Sequence, residues 1–304
     1  MKDFKNIFFK LIHFIGIFIF FYILWTADMK KLIQTFSKID IKWFSLTLLL
    51  IPFLEIPRML RFNILLRLEG IRLDLKSIFL SYQSSIFFGN ISPLRAGDFY
   101  KIRYFKIPTF KGIILVMADR GFDFILLVVS GIYSFGVFKD SITLRFVALS
   151  ISIFLILSFV FIRIFGKKIK FLERILKKTS TIDLLTKWTL KDAFFLTLYS
   201  ITATLLFFFF NHLILNLTMS TDVSFTDVIL IVSMVSLSNI IPITISGIGT
   251  REALSLLILS SYGLKQETAI TYGALAFILT MLAASIYSFL IWLLAQKHFK
   301  YTYD

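Results

Sequence analysis

The residues of this sequence that could do chemistry are charged side chains inside apolar stretches. Asp119, Arg120 and Asp123 lie in one such stretch, and Arg251 and Glu252 are adjacent in another. A charged side chain near the centre of a bilayer costs about 2.5–3.5 kcal/mol on insertion scales, so it needs a partner or a function. In a helix, Asp123 shares a flank with Asp119 and Arg120, which precede it by four and three residues. Glu55 and Arg58, in the second predicted span, also have i,i+3 spacing. Binding of a charged lipid headgroup is one interpretation of these residues, and a buried salt link that only holds the fold is the other.

Two interruptions of the apolar sequence share one plan, an Asn-x-x-Pro motif followed by glycines and charged residues. The first has Asn90, Pro93, Gly97, Asp98 and Arg103, and the second has Asn239, Pro242, Gly247, Gly249, Arg251 and Glu252. Short segments broken by Gly and Pro at corresponding places in two halves of a chain indicate the binding site of a transporter. A chance match of a few residues is the alternative.

The residues around both interruptions predict helix starts that could bind a phosphate. Ser92 is a natural N-cap before Pro93, and Thr250 is a natural N-cap for the helix that continues from Glu252. A helix start exposes unpaired backbone N–H groups and a partial positive charge. With Arg95 beside one start and Arg251 beside the other, both become candidate phosphate sites.

The sequence lacks the residue patterns of metal sites and of common membrane enzymes. The chain has no cysteine, and its three histidines, His13, His212 and His298, are too far apart in sequence to suggest a metal site. We find no D-x-D motif, no protease motif and no acyltransferase H-x4-D motif. The net charge of +15 could indicate nucleic acid in a soluble protein, but here it is explained by basic residues flanking membrane spans. We therefore predict no enzyme activity, catalytic residue, metal, cofactor or nucleic-acid partner.

The composition predicts an all-α, polytopic integral membrane protein. Apolar residues make up 58% of the chain, charged residues 17%, and the mean hydropathy is +0.85, which is too apolar for one soluble core. A spanning helix needs about 20 mostly apolar residues. Six segments qualify as full spans: Ile7–Trp25, Trp43–Leu66, Gly112–Val137, Ile142–Ile164, Ala193–Leu217 and Thr268–Ala295.

Two further apolar stretches, residues 77–104 and 227–262, contain the two interruptions and predict re-entrant hairpins of broken helices. Three crossings separate them, so the second hairpin is inverted relative to the first. We expect a single transmembrane domain, 1–304, made of an inverted repeat. Its first half is residues 1–137 and its second half is residues 138–304.

Basic residues predict the orientation, since cytoplasmic loops carry an excess of Lys and Arg. The basic residues assigned to the cytoplasmic side include Arg61 and Lys101. This rule places both termini in the cytoplasm and the protein in the cell (inner or plasma) membrane as a multi-pass protein. Residues 167–192, where basic and apolar residues alternate, predict an amphipathic helix on the cytoplasmic leaflet. The first outer loop departs from the rule, because it carries Lys30, Lys31, Lys38 and Lys42.

Three regions, Asn90–Arg103, Ala118–Asp123 and Ser238–Leu256, resemble the signature regions of the lysylphosphatidylglycerol synthase transmembrane-region family, also called the flippase-like domain family. Their order and spacing fit, and the resemblance covers essentially the whole chain. The Gly-x-Gly-x-Arg-Glu run at 247–252 is its most specific part. The family commonly has Gly after the first proline, where this chain has Leu94, and Pro-Gly-Gly where it has Ile245-Ser246-Gly247.

The resemblance implies a membrane module that moves a lipid between leaflets. In two-part members of the family a soluble aminoacyl-transferase domain makes the aminoacylated lipid. This sequence ends at Asp304 directly after the last span, so we expect synthase activity to be absent.

The predicted function is therefore translocation of a phosphate-bearing lipid or lipid-linked precursor by two opposed hairpins. A non-transporting accessory or scaffold subunit of an enzyme of envelope biosynthesis is the alternative, and such an enzyme or a second copy of the chain is a candidate partner. The predicted headgroup-binding residues are Asn90, Pro93, Arg95, Gly97, Asp98, Arg103, Asp119, Arg120, Asp123, Asn239, Pro242, Gly247, Gly249, Arg251 and Glu252.

Overall fold

The described residues of the computed structural model are helical and contain no strand, which confirms the all-α prediction. The structure describes residues 21–23, 25–105, 108–165, 188–238 and 249–303. The predicted amphipathic segment 167–192 lies almost wholly outside these ranges, as does most of the predicted span Ile7–Trp25.

The helices of the described residues are labelled α1 to α11 from the N-terminus. In chain order they are α1 (Met29–Ser37), α2 (Ile41–Leu54), α3 (Ile56–Leu68), α4 (Leu75–Ile91), a 3₁₀ helix (Pro93–Tyr104), α5 (Thr109–Phe138), α6 (Ile142–Phe165), α7 (Leu190–His212), α8 (Phe225–Ser238), α9 (Thr250–Ser261), α10 (Gln266–Phe277) and α11 (Ala284–Tyr303). A π-helical turn, Leu213–Thr218, continues α7, and another, Ile278–Ala283, joins α10 to α11.

Three of the predicted spans are confirmed as helices that are long and apolar enough to cross a bilayer. Within the described residues these helices are Ile41–Leu68, Leu190–Thr218 and Gln266–Phe299. The first is interrupted at Glu55, between Pro52 and Pro57, because proline cannot donate a helical hydrogen bond. The predicted spans Gly112–Val137 and Ile142–Ile164 are helical in α5 and α6, and the total of six spans stays a prediction.

The first interruption is a real break in the helix. α4 ends at Ile91, and Pro93 begins the 3₁₀ helix directly after Ser92. The hydroxyl of Ser92 accepts a 2.6 Å hydrogen bond from the backbone N–H of Gly97, so Ser92 caps the new turn as predicted. Gly97 lies against the backbone of Phe88, where a Cβ would overlap the Phe88 carbonyl. The chain therefore turns back on α4 at a point that only glycine allows.

The second interruption separates α8 from α9. Gly249 has φ +84°, a left-handed conformation that favours glycine, and α9 begins at Thr250. The N-cap is thus Gly249, and the prediction that Thr250 is the N-cap was wrong because the left-handed turn places the boundary one residue earlier. At the far ends of the pair, the hydroxyl of Tyr262 donates a 2.6 Å hydrogen bond to the carboxylate of Asp227. The start of α8 therefore meets the end of α9, and the two helices form a closed hairpin.

The chain divides into two compact units, each built from three segments. The first unit is Met1–Pro52, Phe88–Gly97 and Phe207–Tyr287, and the second is Phe53–Phe87, Asp98–Leu206 and Ser288–Asp304. This division does not test the two sequence halves, whose inverted relationship stays a prediction.

Within the first unit, residues predicted to lie outside the cell lie beside one another. The amide of Gln266 donates to the hydroxyl of Thr26 at 3.2 Å, and the backbone N–H of Asp40 donates to the carbonyl of Thr218 at 3.0 Å. These contacts join the loop around α1 to the residues that flank the α8–α9 hairpin.

Within the second unit, residues predicted to be cytoplasmic also meet. The hydroxyl of Ser77 is hydrogen-bonded to Asp74 at 2.5 Å and lies 2.9 Å from the Nε2 atom of His298. Lys111 forms an ion pair with the buried carboxylate of Glu69. The apolar core of this unit, which includes Phe62, Leu65, Leu66, Ile78, Leu115 and Leu196, fills the space between these helices.

Candidate functional site

A buried cluster of charged side chains, which we call the ion-pair cluster, lies in the second unit and is centred on Arg61. Its guanidinium is fully buried and binds Asp119 at 2.9 Å and Asp123 at 2.8 Å. It also donates to the backbone carbonyl of Asp119 at 2.8 Å and to the hydroxyl of Ser200 at 3.2 Å. One arginine of α3 thus joins α5 to α7.

The other oxygen of Asp119 is held by Lys101 and Tyr82. The Lys101 ammonium lies 3.2 Å from it, and the Tyr82 hydroxyl donates to it at 3.3 Å. The ammonium also lies over the rings of Phe62 and Tyr82, 4.1 and 4.2 Å from their centroids. Cation–π attraction strengthens when the cation is desolvated, which suits a lysine with no exposed side-chain surface.

The outer members of the ion-pair cluster link it to further elements. Arg58 binds Glu55 at 2.9 Å, as its i,i+3 spacing predicts, and Asp123 at 3.2 Å. Arg120 binds Asp98 of the 3₁₀ helix at 2.8 Å, whereas its predicted partner Asp123 is 3.8 Å away. Arg120 is also the most exposed member, with 27% of its side chain accessible.

The ion-pair cluster is electrically balanced, because four cations meet four carboxylates: Arg58, Arg61, Lys101 and Arg120 with Glu55, Asp98, Asp119 and Asp123. An anionic headgroup would have to compete with a carboxylate already in place. Sequence reasoning found Asp98, Asp119, Arg120 and Asp123 but assigned Arg61 and Lys101 to cytoplasmic flanks. The signal that could have placed Arg61 is its position inside a predicted span, where a charge needs a partner.

A second set of contacts, which we call the hairpin junction, lies in the first unit on the turn between α10 and α11. The Arg251 guanidinium donates to the sulfur of Met281 at 3.3 Å and lies 5.7 Å from the ring centroid of Phe277. The amide of Asn90 donates to the hydroxyl of Ser285 at 3.1 Å. Asn90 belongs to the first interruption and Arg251 follows the second, so both interruptions contact one helical segment.

The backbone at the hairpin junction is irregular. Residues Ile278–Ala283 form a π-helical turn, a feature often found at functional sites. The carboxylate of Glu252 accepts a 2.7 Å hydrogen bond from the backbone N–H of Gly249, so it caps the start of α9. A Cβ at Gly273 would lie 3.1 Å from the Glu252 side chain, which packs closely on α10. Arg251 and Glu252 are 5% and 4% exposed.

The remaining described residues of the predicted set occupy turns and exposed positions. Arg95 is exposed and has φ +54°, and Arg103 is exposed with its guanidinium 6.0 Å from the Tyr100 ring centroid. Pro93 begins the 3₁₀ helix, and Gly97 forms the close approach to α4. Asn239, Pro242 and Gly247 lie outside the described residues.

The sequence of this chain was compared with those of known proteins. A sequence model of the lysylphosphatidylglycerol synthase TM region matches residues 13–288. The chain belongs to this family. The match confirms the resemblance, and membership of the family together with the apolar helices makes the chain a membrane protein with a family link to lipid metabolism. A comparison with curated proteins returned no match.

The candidate sites of this family member consist of charged and polar side chains. Within the described residues, His, Asp and Glu side chains do not gather in threes in a way that could hold a metal ion. An open cavity of about 350 Å³ in the second unit is lined by Arg67, Arg72 and Leu73, which belong to neither set of contacts. The hairpin junction and the ion-pair cluster are therefore the two candidate sites.

Proposed function

We propose that this protein translocates a phosphate-bearing lipid or lipid-linked precursor between leaflets and is not an enzyme. The observation that supports the proposal is the hairpin junction, where residues of both interruptions contact residues 277–285. This segment lies near the middle of the candidate span Gln266–Phe299. A transporter of this kind needs a polar site at mid-membrane, built from irregular backbone that protein or water satisfies.

The chemistry of the hairpin junction suits a phosphate. Arg251 carries a permanent charge at the start of α9, where backbone N–H groups and the helix dipole also favour an anion. Arginine donates two parallel hydrogen bonds to a phosphate, which lysine does not. The Asn90 amide adds a neutral donor on the same helical segment. We assign the headgroup to these two residues.

The ion-pair cluster has a supporting role in this proposal. Its cations already contact carboxylates of α5, of the 3₁₀ helix and of Glu55 just before α3, so its main effect is to hold α3, α5 and the returning limb of the first hairpin together. Arg120, with 27% of its side chain accessible, is the cation of the cluster most open to an anion.

Location and partners belong to the same proposal. We place the protein in the cell membrane with both termini in the cytoplasm, as the distribution of basic residues predicts. The substrate is a phospholipid or lipid-linked precursor, and an envelope-biosynthesis enzyme or a second copy of the chain is a candidate partner.

The test is lipid translocation in proteoliposomes that contain a fluorescent phosphatidylglycerol. Dithionite quenches the fluorophore only in the outer leaflet, so the rate at which inner-leaflet lipid becomes accessible to dithionite reports translocation. Arg251→Gln should reduce the rate at least tenfold, and Arg251→Lys should restore only part of it because lysine keeps the charge without the planar fork. Arg67→Gln, which removes an exposed arginine outside the predicted headgroup-binding residues, is the matched control and should keep the parent rate. Equal rates in Arg251→Gln and the control would refute the proposal.

A second candidate, the non-transporting accessory subunit, is favoured by the burial of Arg251. This residue is 5% exposed and packs on Met281 and Phe277. An accessory subunit predicts that the purified parent protein translocates no faster than empty liposomes, and that it co-purifies with an enzyme in a fixed ratio. A measurable rate that depends on Arg251 excludes this candidate.

A further inference from the structure

The short helix α1 is amphipathic, and half of its apolar face is exposed. Its apolar residues Met29, Leu32, Ile33 and Phe36 follow the i, i+3, i+4, i+7 pattern of one helix face. Leu32 is buried against Ile270, and Phe36 packs on the same cluster. Met29 and Ile33, on the same face, are 55% and 64% exposed.

The surroundings of α1 are also apolar and exposed. Trp25, just before the helix, is 90% exposed, and Ile41, just after it, is 71% exposed. Only three residues separate the end of α1 at Ser37 from the candidate span Ile41–Leu68, a reach of about 10 Å. The helix must therefore lie at the boundary of the bilayer, where tryptophan is enriched.

The other face of α1 is basic. Lys30 and Lys31 are exposed on it, and Lys38 and Lys42 follow. Asp28 caps the helix by accepting hydrogen bonds from the backbone N–H groups of Lys30 and Lys31 at 3.0 and 3.2 Å. The bond from Lys31 holds the pKa of Asp28 below its ordinary value. Four lysines against Asp28 and Asp40 leave this segment positive.

Both ends of the α1 segment are tied to the residues that flank the α8–α9 hairpin. Thr26, before α1, accepts a hydrogen bond from Gln266, the first residue of α10. Asp40, after α1, donates its backbone N–H to Thr218, the last residue of the turn that ends α7. The lysines of α1 therefore lie close to the base of the second hairpin.

We propose that α1 lies in the plane of the bilayer and forms a binding surface for anionic phospholipid headgroups at the base of the second hairpin. Met29 and Ile33 enter the acyl region, and Lys30 and Lys31 contact the headgroups, the arrangement of an interfacial basic helix. The arrangement explains why four lysines lie on a loop that the positive-inside rule places outside the cell. The inference goes beyond translocation and holds for a transporter and an accessory subunit alike.

The position of α1 can be tested with single cysteines, since the chain has none of its own. Ile33→Cys and its exposed neighbour Gln34→Cys are each labelled with a nitroxide in proteoliposomes, and collision rates with oxygen and with a water-soluble nickel chelate are compared. We expect the label at 33 to favour oxygen and the label at 34 to favour nickel. Equal accessibility of the two labels to nickel would overturn the proposal.

The headgroup preference needs a second measurement. A fluorophore at Ile33→Cys is quenched by nitroxide-labelled phosphatidylglycerol or by equally labelled phosphatidylcholine, and the ratio reports local enrichment of the anionic lipid. Enrichment should fall about fivefold for each lysine lost in Lys30→Gln/Lys31→Gln. The control Lys76→Gln/Lys297→Gln removes the same charge from the second unit and should leave the ratio unchanged. Equal quenching by both lipids in the parent, or an unchanged ratio in Lys30→Gln/Lys31→Gln, contradicts the proposal.

Discussion

Replacement of Arg61 by methionine tests whether the ion-pair cluster holds the second unit together. The substitution keeps much of the side-chain volume but removes ion pairs to Asp119 and Asp123 and the hydrogen bonds to the Asp119 carbonyl and Ser200. Because both arginine and Asp119 are fully buried, the remaining carboxylate charge stays away from water. Breaking a buried pair in this way costs about 3–5 kcal/mol.

The net charge of the ion-pair cluster makes the prediction sharper. Arg61→Met leaves one excess negative charge, and Asp119→Asn leaves one excess positive charge. The double variant is balanced again, with Lys101 between two aromatic rings and Asp123 still bound to Arg58. We expect the loss in free energy of unfolding of the double variant to be about 2–3 kcal/mol smaller than the sum of the losses of the two single variants.

The assay is unfolding of the purified protein by a titration from mild detergent into sodium dodecyl sulfate, followed by tryptophan fluorescence. Arg67→Gln is the control, because Arg67 is exposed and stands outside the cluster, so its loss should change the free energy of unfolding by less than about 0.5 kcal/mol. Arg61→Lys, which keeps the charge, should fall between the control and Arg61→Met. An Arg61→Met variant as stable as the control, or strictly additive single effects, would refute the reasoning.

Three other predictions concern the hairpins and their ends. Gly97→Ala should destabilise the protein by about 1–3 kcal/mol or more in the same unfolding assay, because its Cβ overlaps the preceding helix, whereas Gly121→Ala, with open space, should not. Tyr262→Phe, which removes a hydrogen bond to a carboxylate, should speed amide hydrogen exchange at the start of α8 about tenfold or more. The Ser77 hydroxyl lowers the pKa of Asp74 from its ordinary value of 3.8, so its hydrogen bond stabilises the folded protein when Asp74 is ionised. Ser77→Ala should therefore lower the free energy of unfolding at neutral pH. The difference in the free energy of unfolding between Ser77→Ala and the parent should shrink as the pH falls below about 4 and Asp74 becomes protonated in the folded state. Unfolding measured at neutral pH and at a pH below the lowered pKa tests this.

The sequence alone predicted the helical class, the membrane environment and the positions of both interruptions. These features depend on local composition: long apolar runs predict spans, and Asn, Pro and Gly predict where a helix stops. The break at Ser92–Pro93 was located correctly for this reason. The predicted N-cap of α9, Thr250, was wrong by one residue, because the left-handed Gly249 is the N-cap and Thr250 is already helical.

The partners of the charged residues could not be predicted in the same way. Local spacing predicted the Glu55–Arg58 pair and also the longer Arg120–Asp123 pair at 3.8 Å. It could not predict the 2.8 Å pair of Arg120 with Asp98, because Asp98 lies on another element. The sequence predicts Arg61 and Lys101 as cytoplasmic flanking residues. The position of Arg61 inside a predicted span indicates that its charge needs a partner, but only the structure shows that the partners are Asp119 and Asp123.

Composition and local patterning thus determined that this chain consists of membrane helices with two broken segments, because such properties are set by each residue and its near neighbours. Only the tertiary structure decided which charges neutralise one another around Asp119 and that Asn90 and Arg251 contact the same helical segment. Such contacts join residues separated by tens to hundreds of positions, and their geometry depends on the packing of whole helices rather than on any stretch of sequence.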